Sequence, residues 1–136
     1  MKESRYLLDT DICIYFIKRH PASVAERIAA LPDDAVSMSV IAYGELRRGV
    51  ERSLHHEQNL AALNQMTEII NVKALPKTAG QIYGVIRTKL EKSGTPIGNN
   101  DLWIAAHALA EDLTLVTNNG REFKRIDGLR VENWAQ

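Results

Sequence analysis

Asp9, Glu45, Asp101 and Asn119 are the side chains of this sequence whose types and places best suit them to chemistry. Asp9 closes the apolar run Tyr6-Leu7-Leu8. Asp101 opens the helical stretch Leu102–Leu113. Asn119 stands just past the apolar run Leu113–Val116, and Glu45 sits inside a helical pattern. Hard divalent cations want oxygen ligands of this kind, a few carboxylates with water filling the rest of the shell. A cation held so can turn water into a nucleophile against a phosphodiester. The four residues together point to metal-dependent cleavage of nucleic acid.

The elements that must position them alternate between short apolar runs and helical patterns. Arg5–Leu8 is expected as a strand ending at Asp9. Ile12–Lys18 is a short helix stopped by His20-Pro21. Ala22–Leu31 is a second helix, ended by Pro32-Asp33-Asp34, and Ala35–Ser39 a short strand. Val40–Ser53 and Glu57–Ile70 are helical, with a strand at Ile70–Val72. Pro76 is placed at the first position of a long helix running to about Ser93, with Gly94 as its C-cap. Asn99–Asp112 is the next helix, Leu113–Thr117 a strand, and Leu129–Val131 a final short strand. Strands separated by helices predict an α/β fold, a parallel sheet with helices on both faces. No repeat or linker divides the chain, so one domain over residues 1–136 is expected. In such sheets ligands bind beyond the carboxyl ends of the strands. Asp9 and Asn119 lie at such ends, and Asp101 at a helix start that meets the same rim.

Each residue also has a plainer explanation. Asp9 or Thr10 can N-cap the first helix. Asp101 can favour a helix start through the macrodipole. Its helix, however, carries Leu102, Trp103, Ile104, Ala105, Ala106, Ala108, Leu109 and Ala110 around nearly its whole circumference, which predicts burial. Glu45 points about 135° from a stripe of Tyr43, Leu46 and Val50, at about 100° per residue, and an exposed Glu45–Arg48 pair is its simplest fate. The small neighbours Ala42 and Gly49 leave room for a metal beside it. Asn118-Asn119-Gly120 can be a turn without chemistry. His107 and Trp103 read as core residues, His55-His56 as a solvated helix end, and Cys13 as a small core residue.

With 17 basic and 17 acidic residues the chain is neutral, unlike a tight, sequence-blind nucleic-acid binder. Basic residues are still grouped, at Arg47, Arg48 and Arg52 and at Arg121, Lys124, Arg125 and Arg130, which suits brief contact with a few phosphates. A single cysteine excludes an internal disulfide and fits a reducing, cytoplasmic setting. The N-terminus lacks the apolar region of a signal peptide, and no stretch approaches the roughly 20 apolar residues of a membrane span.

The chain resembles PIN-domain ribonucleases, specifically the VapC-type toxins of bacterial toxin–antitoxin pairs. The resemblance rests on Tyr-Leu-Leu-Asp9-Thr10-Asp11-Ile-Cys-Ile, on Tyr43-Gly44-Glu45-Leu46 with Gly49, on Ile97-Gly98-Asn99-Asn100-Asp101-Leu102-Trp103 through Ala108, and on Leu115-Val116-Thr117-Asn118-Asn119-Gly120-Arg121-Glu122-Phe123. It implies a PIN-like parallel sheet and a Mg2+-dependent endoribonuclease, with Mn2+ as an alternative ion. Asp9, Glu45 and Asp101 match the family's metal-binding acids, and Asn119 a fourth position that is often Asp. Thr10 and Thr117 match hydroxyls at the rim, and Asp11 replaces a frequent Asn. The resemblance further implies a homodimer, a VapB-type antitoxin that joins the toxin on operator DNA, and transfer RNA as substrate, with the anticodon loop of the initiator as leading target. Two alternatives stand beside it. Asp9-Thr10-Asp11 after a strand resembles the start of a haloacid-dehalogenase-type phosphatase signature, although Cys13 replaces its Thr. A PIN-like fold kept as a non-catalytic binding module is the other.

Overall fold

A computed structural model describes residues 4–136. The first three residues of the stretch read as lacking a leader lie outside the described residues. Among the described residues no helix is long and apolar enough to cross a membrane.

The chain runs β1 (Tyr6–Leu8), α1 (Thr10–Lys18), α2 (Ala22–Ala29), β2 (Val36–Ser39), α3 (Val40–Glu51), α4 (His56–Ile69), β3 (Asn71–Lys73), α5 (Lys77–Lys92), α6 (Asn99–Ala110), β4 (Thr114–Val116), α7 (Gly120–Phe123) and β5 (Val131–Glu132). The five strands form one parallel sheet in the order β3-β2-β1-β4-β5. Parallel strands need long crossovers, and these are right-handed. The chain therefore moves from β1 to β3 with α1–α4 on one face, then crosses back over β2 and β1 with α5–α6 on the other. The direction of winding changes at β1, which pairs with β2 on one side and β4 on the other. That switch point, between the ends of β1 and β4, is where such sheets leave a crevice.

The expected elements are all present, with ends shifted by at most two residues. α1 begins at Thr10, two residues before the expected Ile12, because Asp9 caps it and accepts the Thr10 N–H at 2.8 Å. Pro76 occupies the N-cap place, so α5 starts one residue later, at Lys77. Gly94 follows the Ser93 C-cap at φ 72°, a left-handed turn that glycine takes without strain. The short helix α7 was not expected, since four residues carry no readable periodicity.

Leu7, Leu8, Met38, Leu115 and Val116 fill the centre of the sheet and are fully buried. Each contributes about 1.5–3 kcal/mol by leaving water. α6 buries Leu102, Ile104, Ala105, Ala106, His107 and Ala108, as its composition requires. Trp103 departs from its expected core position. It is half-buried and stacks on Tyr83 of α5, with ring centroids 3.8 Å apart. Cys13 is buried as expected, and burial pushes its thiol far up, so it is inert.

Candidate active site

Strand register brings the first two site residues together. Leu8 pairs with Val116, so the next residues, Asp9 and Thr117, face each other beyond the strand ends. The Asp9 N–H donates to the Val116 carbonyl at 2.8 Å. Thr117 is fully buried and its hydroxyl donates to Asp9 Oδ2 at 2.7 Å. Asp9 is therefore both the helix cap and a buried carboxylate. Desolvation, followed by repulsion from Asp11, raises its pKa to about 7, although Thr117 and the Thr10 N–H pull it down.

Asp101 lies in the first turn of α6 and is half-buried. Desolvation raises its pKa to about 6, helped by repulsion from Glu122, Glu45 and Asp11. These repulsions place Asp101 within electrostatic reach of the other acids. Glu45 comes from α3. The stripe that this helix buries is Ala42, Leu46 and Val50, and Tyr43 is only half-buried. The stripe centre therefore lies about 100° from Glu45, nearer than the expected 135°. Glu45 consequently turns inward and accepts the Thr10 hydroxyl at 2.6 Å. The expected Glu45–Arg48 pair does not form, and Arg47 pairs with Glu51 at 2.8 Å instead.

Asn119 is at the rim but does not face Asp9 directly. Its backbone N–H donates to Thr117 Oγ1 at 2.9 Å, and its side-chain amide donates to Glu122 Oε2 at 3.0 Å. The turn read over Asn118-Asn119-Gly120 is instead the entry to α7, which carries Glu122. Glu122 is the residue that sequence reasoning missed, and it heads the charges acting on Asp101. Its position three residues after Asn119, on a helix too short to read, hid it. Asp11 is also closer to the site than expected. Its Oδ2 accepts the Asn118 N–H at 3.0 Å, while its buried Oδ1 has no partner among the described residues. Burial raises its pKa despite that hydrogen bond.

Five carboxylates, Asp9, Asp11, Glu45, Asp101 and Glu122, thus surround the switch point. Among the described residues none is paired with Lys, Arg or His within 4.0 Å. Like charges gathered without compensation cannot all ionise at little cost. The donor set is all oxygen, includes an orphaned buried carboxylate oxygen, and so fits a hard divalent cation. Among the described residues no three such side chains converge tightly enough to hold an ion unaided. Asp9 and Glu45 are turned to Thr117 and Thr10, so water or a small side-chain rotation must complete any shell. Glu122→Gln is expected to lower the Asp101 pKa, read by NMR titration of its carboxyl. An unmoved titration would exclude Glu122 from the cluster.

A doubly wound parallel sheet with an acidic cluster at its switch point defines a class in which nucleases are built. Residues 6–129 match the PIN domain family. Over 132 residues, 96% of this chain and 98% of the relative, it is 43% identical to Ribonuclease VapC1 of Haemophilus influenzae. It is 41% identical to the tRNA(fMet)-specific endonuclease VapC of Shigella flexneri over 96% and 98% of the two chains. The crystal structure of DNA-bound VapBC from Salmonella typhimurium superposes with a TM-score of 0.91 at 39% identity, covering 96% of this chain and 98% of that one. The chain belongs to the PIN-domain family, among its VapC-type ribonucleases. The phosphatase alternative falls with this result.

Proposed function

We propose that this chain is the toxin of a toxin–antitoxin pair, an endoribonuclease that uses Mg2+ or Mn2+ to cut transfer RNA, with the initiator anticodon loop as leading target. The observation that carries the reading is the uncompensated group of five carboxylates at the switch point. Asp9, Glu45 and Asp101 would hold the ion, some through water, and Asn119 acts from the outer edge through Glu122. The ion, when bound, neutralises phosphate charge and lowers the pKa of the attacking water. The chain's own hydroxyls orient the acids: Thr117 fixes Asp9 and Thr10 fixes Glu45. No side-chain nucleophile is required.

The basic groups supply the hold on RNA. Among the described residues Arg48, Arg52, Arg121 and Lys124 have no acidic partner within 4.0 Å, whereas Arg130 is paired with Asp112 at 2.8 Å. Unpaired cations on the helices that carry Glu45 and Glu122, or at their C-caps, suit phosphate docking, so cleavage should weaken as salt rises. An apolar groove lined by Ile14, Ile17, Leu46, Val50 and Leu63 ends at Thr10 and Glu45. That continuity supports a VapB-type antitoxin that covers the groove and the acids together. A homodimer, operator DNA bound only through the antitoxin, and a cytoplasmic site of action complete the proposal.

Expression of the protein alone is expected to arrest bacterial growth, and co-expression of the protein encoded beside it to restore growth. Mapping RNA 5′ ends after induction should find a new end in a transfer RNA. Normal growth at high levels of soluble protein, with transfer RNA intact, would overturn the assignment and favour a binding module.

A further inference from the structure

His107 is fully buried in α6, six residues beyond Asp101, and the cleavage chemistry does not use it. Its Nε2 lies 2.9 Å from Glu111 Oε2, and Glu111 Oε1 lies 2.8 Å from Lys73 Nζ. Burial pushes the Glu111 carboxyl up, but hydrogen bonds from Lys73 and His107 outweigh it and leave the group below its ordinary range. An ionised carboxylate only accepts, so Nε2 carries the proton. Burial also holds the imidazole below its ordinary pKa, against the pull of Glu111, so the ring is neutral near pH 7 and Nδ1 accepts. Nδ1 lies 2.9 Å from Ser39 Oγ. That hydroxyl already accepts the Ile41 N–H at 3.1 Å, so its own proton goes to Nδ1. Ser39 Oγ thus accepts from the helix and donates to the ring, and the direction of each contact in the chain is fixed.

Ser39 is the N-cap of α3, and Glu45 follows it by six residues on that helix. Side chains alternate along β2. Val36 faces the α1–α2 layer beside Phe16 and Ile28, while Ser37 and Ser39 face the layer of Glu111 and His107. The His107–Ser39 bond therefore ties α6 to the last residue of β2, which is also the N-cap from which α3 starts into the other layer. One of these helices carries Asp101 and the other carries Glu45. We propose that His107 is a positioning residue, which through Ser39 fixes α3 against α6 and so sets the spacing at which Glu45 and Asp101 take a divalent cation. The inference rests on the reading of those two acids as metal-holding residues.

The test separates the two ring nitrogens. Asn at 107 places its Oδ1 where Nδ1 stood and keeps the Ser39 bond; Gln at 107 reaches toward Glu111 and loses it. Mn2+ binding to the full chain, followed by electron paramagnetic resonance, should weaken at least about tenfold in His107→Gln and stay within about threefold of wild type in His107→Asn. Replacing residues that orient metal ligands typically costs about 10–100-fold in metal affinity. Thermal melting run alongside should show both variants losing stability to a similar degree. Ser39→Gly removes the hydroxyl but leaves a residue tolerated as an N-cap. It should reproduce the loss of His107→Gln, and it carries the test if that variant does not fold. Wild-type Mn2+ affinity in both His107→Gln and Ser39→Gly, with only a lower melting temperature, would make His107 a packing residue and overturn the inference. Equal losses in His107→Gln and His107→Asn would overturn it too. Asp101→Asn serves as the control: if it leaves Mn2+ binding unchanged, the metal-site reading itself fails and takes this inference with it.

Discussion

Asp9→Asn is expected to abolish RNA cleavage and, at the same time, to make the metal-free protein melt at a higher temperature. Loss of activity should exceed tenfold, or more than about 1.4 kcal/mol in barrier. The gain in stability follows from the raised pKa. Asp9 moves from 3.8 to about 7 on folding, so the folded state binds its proton more tightly than the unfolded state. Stability from this group is fully present below pH 3.8 and is lost as pH rises toward 7. Above pH 7 the buried charge opposes folding by about 4 kcal/mol at 1.36 kcal/mol per unit. Asn removes that charge. Its Oδ1 still accepts the Thr10 N–H, but its amide faces the Thr117 hydroxyl, which must give up its acceptor. After about 1–3 kcal/mol for that mismatch, roughly 2 kcal/mol of stabilisation remains at pH 8, or about 5 °C or more in melting temperature. The gain should vanish at about pH 5 and reverse by about pH 4, where wild-type Asp9 is protonated and only the mismatch remains. A variant no more stable than wild type at pH 8 in EDTA would show that Asp9 is not a strained carboxylate.

The division between what the residues announced and what they concealed has a physical basis. β1 and β4 are central parallel strands whose last two residues are buried, so their apolar runs end sharply and leave Asp9 and Thr117 visible at the rim. α6 is apolar around its circumference, so its burial and the place of Asp101 at its mouth were readable from composition alone. Glu45 was harder. Choosing Tyr43 over the small Ala42 as the buried residue turned the helix and sent Glu45 to solvent, because side-chain size, not packing, was all the pattern could weigh. Glu122 was hidden because α7 has only four residues, too few to show a period. Asn119 was placed at the rim correctly, but its amide turns to Glu122, a tertiary choice that no local rule encodes. Asp11 was read as an added charge; that one of its oxygens is buried without a partner depends on how the Asn118 loop closes over it.

Mn2+ is expected to raise the melting temperature strongly at pH 8 and weakly at pH 5.5. A cation that binds only the folded chain stabilises it in proportion to the logarithm of its concentration over Kd. To bind, it must displace the protons that the folded chain holds on Asp9, about 7, and Asp101, about 6. Above pH 7 neither proton is present and affinity is flat. Between 7 and 6 one proton must leave, and affinity falls about tenfold per unit; below 6 two must leave, and it falls about a hundredfold per unit. From pH 8 to 5.5 the loss is about a hundredfold, so the stabilisation at a fixed saturating concentration shrinks by about 2.7 kcal/mol. Comparing melts with and without Mn2+ at each pH cancels the protein's own pH dependence. In Asp9→Asn the first of the two protons is gone, so any remaining Mn2+ effect should lose its dependence between pH 7 and 6 and begin to fall only below 6. A shift of equal size at both pH values, or none at pH 8, would separate the carboxylate cluster from metal binding. The cluster's repulsion would then have to be relieved by something other than a divalent cation.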